Sequence, residues 1–320
     1  MRIIFMGTPD FAVPVLAALA EAGHELAAAV TQPDKPKGRG REVRYTPVKQ
    51  KALALGIPVY QPARVKEPEF LAELSRLSPD VIVVAAFGQI LPEAILRLPP
   101  YGCVNVHASL LPKYRGAAPI QWAVINGETK TGITIMQMDK GLDTGDMLAK
   151  REIGIAPDET GGSLHDKLSV LGGPLLLEVL RDLEAGRCEA VPQTGESSYA
   201  SQLKKEMGRI DWRRPAAEIE RRIRGLSPWP GTYTCLDGRT WKIWAAEVCA
   251  VKSARPDNTE SGAVPCGGIF AVEKDRFLVQ TGEGILAVKE LQPEGKKRMT
   301  AEAFLRGYSL ERGMLLGEKG

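Results

Sequence analysis

Asn105 and His107 stand two residues apart in the apolar start of the stretch Val104–Gly116. The two-residue period of a strand turns both side chains to one face, about 6–7 Å apart, with Cys103 one step deeper on the same face. An amide and an imidazole converging on one small volume suit the polarisation of a carbonyl and the movement of a proton. The same two residues, fully hydrogen-bonded, also fit an ordinary buried core. What surrounds them decides between these readings. Further along, Asp139-Lys140-Gly141-Leu142-Asp143-Thr144-Gly145-Asp146 sets three carboxylates among glycines. The spacing and terminal glutamate of a calcium loop are missing, so the expectation is a turn with one functional aspartate and no metal.

The elements that must position these residues begin at the first residues. An apolar run over 2–6, helical spacing from Phe11 to Ala22 and a second apolar run from Glu25 to Thr31 read as a β-α-β unit, and so as part of a parallel sheet. The turn Gly7-Thr8-Pro9-Asp10-Phe11 has one glycine where a dinucleotide fingerprint needs three. A nucleotide-binding-like architecture is therefore expected without the dinucleotide site. Asp80–Ala86 is a continuous apolar run, typical of a strand buried on both faces. The loop after it, Phe87-Gly88-Gln89-Ile90-Leu91-Pro92, should share the carboxyl rim of the sheet with the end of the Asn105/His107 strand, where open parallel sheets take ligands. Phe87, Ile90 and Leu91 read either as the wall of a pocket for a flat ring or as a hydrophobic loop closing the core. Helices are expected over 47–55, 69–77, 118–125 and 163–184, with strands over 132–139 and 147–155.

With 320 residues, 44% hydrophobic and 25% charged, the chain suits a globular protein of two domains. It contains no run of eighteen apolar residues, which excludes a membrane-spanning helix. The N-terminus lacks the pattern of a signal peptide. Five scattered cysteines without a C-x-x-C pair argue against a disulfide framework or zinc site and for a cytoplasmic setting. The net charge of +3 is unevenly spread. Residues 203–320 carry 21 basic against 16 acidic side chains, and residues 33–51 carry seven against two. Two basic regions suggest a large polyanionic partner, with a solvated charged surface as the plain alternative. The segment from Gln32 to Arg44 is too rich in Pro, Gly and Lys/Arg for helix or strand and reads as a basic loop.

After a Gly-, Ser- and Gln-containing stretch over 186–202, the texture changes. A basic helix over 215–224 is followed by short strands over 233–236, 240–248, 262–264, 268–272, 277–281 and 285–291, and by a helix over 301–306. Such spacing suggests a small β-barrel of OB-like type. The expected fold is thus α/β: a Rossmann-like, mostly parallel sheet in residues 1–189, a linker over 190–206, and an OB-like barrel domain over 207–320.

Asn105 and His107 as N-x-H, Ser109-Leu110-Leu111-Pro112-Lys113-Tyr114-Arg115-Gly116, and Asp143-Thr144-Gly145-Asp146 together resemble the folate-dependent formyltransferases. The remaining marks resemble those members that act on a tRNA-borne amine. They are Phe5-Met6-Gly7-Thr8-Pro9-Asp10-Phe11, the basic loop, Leu226-Ser227-Pro228-Trp229-Pro230-Gly231 and Leu291-Gln292-Pro293-Glu294-Gly295-Lys296-Lys297. The resemblance implies transfer of a formyl group from 10-formyltetrahydrofolate to the α-amine of methionyl-initiator tRNA, with Asn105, His107 and Asp143 catalytic. It implies folate contacts at Ser109, Leu110, Leu111, Pro112, Phe87, Gly88, Gln89, Ile90, Leu91 and Asp139. It implies tRNA contacts at Lys37, Arg39, Arg41, Lys204, Lys205, Arg209, Lys296, Lys297 and Arg298. A monomer is expected. Alternatives are a formyltransferase of an amino-sugar nucleotide or other small amine, and a non-catalytic RNA-binding protein on the same fold.

Overall fold

A computed structural model describes residues 1–37, 42–249 and 264–317. The chain divides into two compact units, one of residues 1–119, 130–154 and 164–201, the other of 120–129, 155–163 and 202–320. This division differs from a simple cut near 190. Residues 190–201, expected as linker, belong to the first unit, where Tyr199–Ala200 pairs in parallel with Arg115–Gly116. Two short inserts from the first half join the second unit, where Arg224 Nη1 donates to the Glu159 carbonyl at 2.7 Å and Arg221 Nε to that of Ile125 at 3.3 Å.

The first unit is built on a seven-stranded sheet in the spatial order Met147–Gly154, Lys130–Gln137, Cys103–His107, Val81–Ala85, Arg2–Gly7, Glu25–Val30 and Val59–Tyr60. The five strands from Cys103–His107 to Val59–Tyr60 run parallel; Lys130–Gln137 pairs antiparallel with Cys103–His107, and Met147–Gly154 antiparallel with Lys130–Gln137. All five residues of Val81–Ala85 are buried, as a strand covered on both faces requires. Ile4, Met6, Val30, Ile82, Val84 and Cys103 share one core cluster with Phe70 and Leu74 of the helix Pro68–Arg76. In the register, Val84 lies beside Asn105 and Thr134 beside His107. The reading of Gln32–Arg44 as neither helix nor strand needs correction. Lys35–Lys37 and Glu42–Arg44 pair antiparallel, Lys35 opposite Arg44, so the segment is a hairpin rooted in the first unit. Arg39 and Arg41 lie outside the described residues.

The second unit carries an antiparallel sheet ordered Thr232–Leu236, Arg239–Cys249, Ile285–Pro293, Phe277–Gln280 and Ile269–Val272, with Met299–Thr300 added to Ile285–Pro293. The strand expected over 262–264 lies, but for Val264, outside the described residues. Ile219 and Ile223 of the helix Ala216–Gly225 share a core with Trp241, Phe277, Leu291 and Phe304. Trp241 meets Phe304 edge to face at 5.0 Å between ring centres, a preferred aromatic geometry. The architecture is the α/β-plus-antiparallel-β class expected from the strand spacing.

Candidate active site

The strand Cys103–His107 is buried at every residue, and its polar members emerge at the carboxyl end of the parallel sheet. His107 is fixed from one side by backbone. Its Nε2 lies 2.9 Å from the Tyr114 carbonyl, which can only accept, so Nε2 carries the proton. Nδ1 is thereby left as the exchanging nitrogen, and it faces the Asp143 carboxylate at 3.7 Å. Asn105 Nδ2 donates to Asp143 Oδ1 at 3.4 Å, which leaves its second N–H and its carbonyl oxygen for a ligand. The Gly116 backbone N–H donates to Asp143 Oδ2 at 2.8 Å. The structure thus brings Asn105, His107 and Asp143 together. Asp143 itself sits in the left-handed backbone region, at φ 53°.

Two glycines make this approach fit. A Cβ on Gly116 would stand 2.7 Å from the Ala200 carbonyl oxygen, and one on Gly145 would overlap that of Gln137 outright. Cys103 is no nucleophile: burial pushes its thiol up to about 12, and Sγ points at the Ile95 carbonyl.

The Ser109–Pro112 turn is held from beneath. Thr134 Oγ1 donates to the Ser109 carbonyl at 2.6 Å and accepts from Leu111 N at 3.1 Å, while Lys150 Nζ caps the Leu111 carbonyl at 2.6 Å. Ser109 is fully buried and donates to the Lys113 carbonyl, and Leu111 packs with Met136 and Met147. Leu110 and Pro112 are the partly exposed faces of the turn. On the same rim, the Phe87 carbonyl accepts from Thr8 Oγ1 at 3.0 Å and Gln32 Nε2 at 3.3 Å. Gly88 has φ +86°, and Gln89 Oε1 accepts from Val65 N. Phe87 and Leu91 point into the core, whereas Ile90 is 85% exposed. Of the three apolar residues, Ile90 alone presents its side chain to solvent.

The other carboxylates of the loop go separate ways. Asp139 Oδ1 accepts from Gly141 N and Thr144 Oγ1, and Asp146 is exposed. Among the described residues no three His, Cys, Asp or Glu side chains gather as metal ligands would. In the second unit Lys204, Lys205, Arg209, Lys296, Lys297 and Arg298 are all exposed. Arg298 pairs with Glu290 and lies 5.1 Å over the Trp244 ring. Lys37 lies in the hairpin strand Lys35–Lys37.

A polar strand end thus faces a carboxylate loop at the rim of a mostly parallel sheet, where such sheets take ligands. The formyl transferase family matches residues 1–180 and its C-terminal domain residues 202–309, and the chain belongs to this family. It is 54% identical to the "Methionyl-tRNA formyltransferase" of Agathobacter rectalis, over 98% of both chains. It is 52% identical to the protein of that name from Pelotomaculum thermopropionicum, over 99% of both. Among solved structures it resembles an N-formyltransferase from Helicobacter canadensis, TM-score 0.64 at 17% identity, over 90% of this chain and 98% of that one. It also resembles HypX from Aquifex aeolicus in complex with tetrahydrofolic acid, TM-score 0.62 at 17% identity, over 96% of this chain. The chain spans 47% of that HypX chain. At such identities the likeness concerns the fold.

Residues other than the expected site residues also build the site. Tyr114 supplies the carbonyl that orients His107, and Gln193 bonds the backbone of the Asp143 loop. Tyr114 lies inside the Ser109–Gly116 motif. The one signal for Gln193 in sequence is a long polar side chain in a stretch with no helical or strand period.

Proposed function

We propose that the protein transfers the formyl group of 10-formyltetrahydrofolate to the α-amine of methionyl-initiator tRNA, acting as a cytoplasmic monomer. The observation that supports it most is the meeting of Asn105, His107 and Asp143 at a buried strand end, in a chain about half identical over its whole length to relatives carrying that name. No helix of the described residues is long and apolar enough to cross a membrane.

The donor supplies an activated formyl carbonyl; the chain's residues supply the rest. Attack by the amine puts negative charge on the formyl oxygen, to which the unused N–H of Asn105 would donate. The attacking amine must shed a proton. The lone pair on His107 Nδ1 takes it, the Tyr114 carbonyl holding the opposite nitrogen as donor. The imidazolium so formed faces Asp143, which balances its charge, and the Gly116 N–H keeps that carboxylate turned inward. His107 then returns the proton to the departing folate nitrogen. No covalent enzyme intermediate is needed. Leu110 and Pro112 would line the folate side, with the Phe87–Leu91 loop and Asp139 on the same rim. The cations of the hairpin and of the second unit would meet tRNA phosphates.

The test is formylation from 10-formyltetrahydrofolate with methionyl-initiator tRNA and an amino-sugar nucleotide in competition. Preferential formylation of the tRNA is expected. Equal or greater use of the sugar amine would reject the tRNA reading, and no transfer to any amine would favour an RNA-binding protein without activity.

A further inference from the structure

From Glu189 to Tyr199 every residue is exposed except Gln193. Its amide is engaged at both ends. Nε2 donates to the backbone carbonyls of Asp143 and Gly145, each at 2.8 Å. Oε1 accepts from Nε and Nη2 of Arg115 at 3.0 and 2.8 Å. The four bonds close a ring through the site. Arg115 precedes Gly116, whose N–H holds the Asp143 carboxylate, while Gln193 holds the Asp143 backbone. Asp143 lies at φ 53°, in the left-handed region that few non-glycine residues other than Asp and Asn adopt, so the loop around it makes a tight turn. The chain bearing Gln193 is pinned to the same motif. Ser198 Oγ accepts from Tyr114 N and the Ser198 carbonyl from Arg115 N, each at 2.9 Å. The Tyr114 carbonyl, in turn, orients His107.

We propose that Gln193, braced by Arg115, is a positioning residue for formyl transfer that sets Asp143 against His107 Nδ1 without touching either substrate. The inference rests on Asn105, His107 and Asp143 being the reacting centre. A displacement of a catalytic group by about 1 Å can cost on the order of 100-fold in rate. A mere loop tie would affect thermal stability alone.

Gln193→Ala removes all four bonds. Gln193→Glu keeps the size and the acceptor for Arg115 but cannot donate to the two carbonyls. In both variants kcat should fall by on the order of 10- to 100-fold with KM for folate and tRNA little changed. The kcat–pH profile should shift, and so should the ¹⁵N imidazole signal of His107, resolvable in a chain with three histidines. Wild-type kcat and pH profile in a folded Gln193→Glu variant would overturn the inference, whatever Gln193→Ala does, because the two donors would then be dispensable. Should Gln193→Ala not fold, Gln193→Glu and Arg115→Lys carry the test. Full activity in His107→Ala would instead remove the reacting centre itself, a failure of the proposed function and not of the positioning step.

Discussion

Around His107 the polar groups are held by fixed protein atoms, whereas Lys204, Lys205, Lys296 and Lys297 of the second unit stand in water. Asn105, His107 and Ser109 are buried, and among the described residues every buried side-chain nitrogen and oxygen has a hydrogen-bond partner. Lys204, Lys205, Lys296 and Lys297 occupy exposed turns and a single-turn helix, where side chains keep their rotamers. The difference fits what the proposed function would ask of each region. A carbonyl under attack develops charge at one point, so donors must be in place beforehand and their bonds must be satisfied by fixed protein atoms. A phosphate backbone offers charge along a length, and long mobile side chains can meet it without a fixed geometry. Substitutions should therefore act steeply in the first region and gradually in the second.

The steepest effect is expected at the centre. His107→Ala removes both the proposed proton carrier and the group facing Asp143, and the rate in a single-turnover formylation assay should fall by roughly 10²–10⁴-fold with tRNA affinity nearly intact. A loss in tRNA binding of similar size would blur the two regions into one. Next comes Gly145→Ala. Its added Cβ would overlap the Gln137 carbonyl oxygen, a backbone atom that cannot step aside. The loop must shift, lowering stability by about 1–3 kcal/mol and carrying Asp143 away from His107. Thermal melting and kcat should drop together, and an unchanged kcat would mean that the position of Asp143 is not critical.

In the second unit the paired change Lys296→Ala, Lys297→Ala should leave kcat at saturating tRNA unchanged. The slope of log affinity against log salt should become shallower by about 0.7–0.9 for each phosphate that is no longer neutralised. A salt slope equal to wild type would remove these lysines from the interface and leave them as solvated surface.

What sequence reveals of the two regions also differs. Asn105 and His107 fall on one face by the period of a strand, and the glycine-jointed loop around Asp143 marks itself by composition. The parallel core reads from uninterrupted apolar runs such as Val81–Ala85. Gln193 reads only faintly, because the partners of its Nε2 are backbone carbonyls placed by tertiary packing, and carbonyls carry no residue type. The hairpin Lys35–Lys37/Glu42–Arg44 hides behind Pro36 and its charges, since cross-strand pairing supplies what propensity denies. Phe87 and Leu91 show the limit of composition: apolar loop residues fit a pocket wall as well as a core, and only tertiary packing decides which.

The root of that hairpin has features of both regions, a charged group held inside a web. Asp34, largely buried, pairs with Lys49 and accepts from Gln61 Nε2 at 3.0 Å, while Lys49 also lies 4.0 Å over the Tyr45 ring. Lost hydration alone would push the Asp34 carboxyl up, but the bonds from Lys49, Gln61 and the Thr46 backbone together hold it below the ordinary carboxylate value. A depressed native value stabilises the fold above the ordinary value near 4, and that contribution fades as pH falls through the native one. Asp34→Asn should therefore be less stable than wild type at pH 7, by on the order of 1 kcal/mol, and the gap should narrow as pH falls below the ordinary carboxylate value. A gap that stays constant from pH 7 to pH 3 would mean that Asp34 holds the hairpin by shape and not by charge, and would place this root with the rigid region.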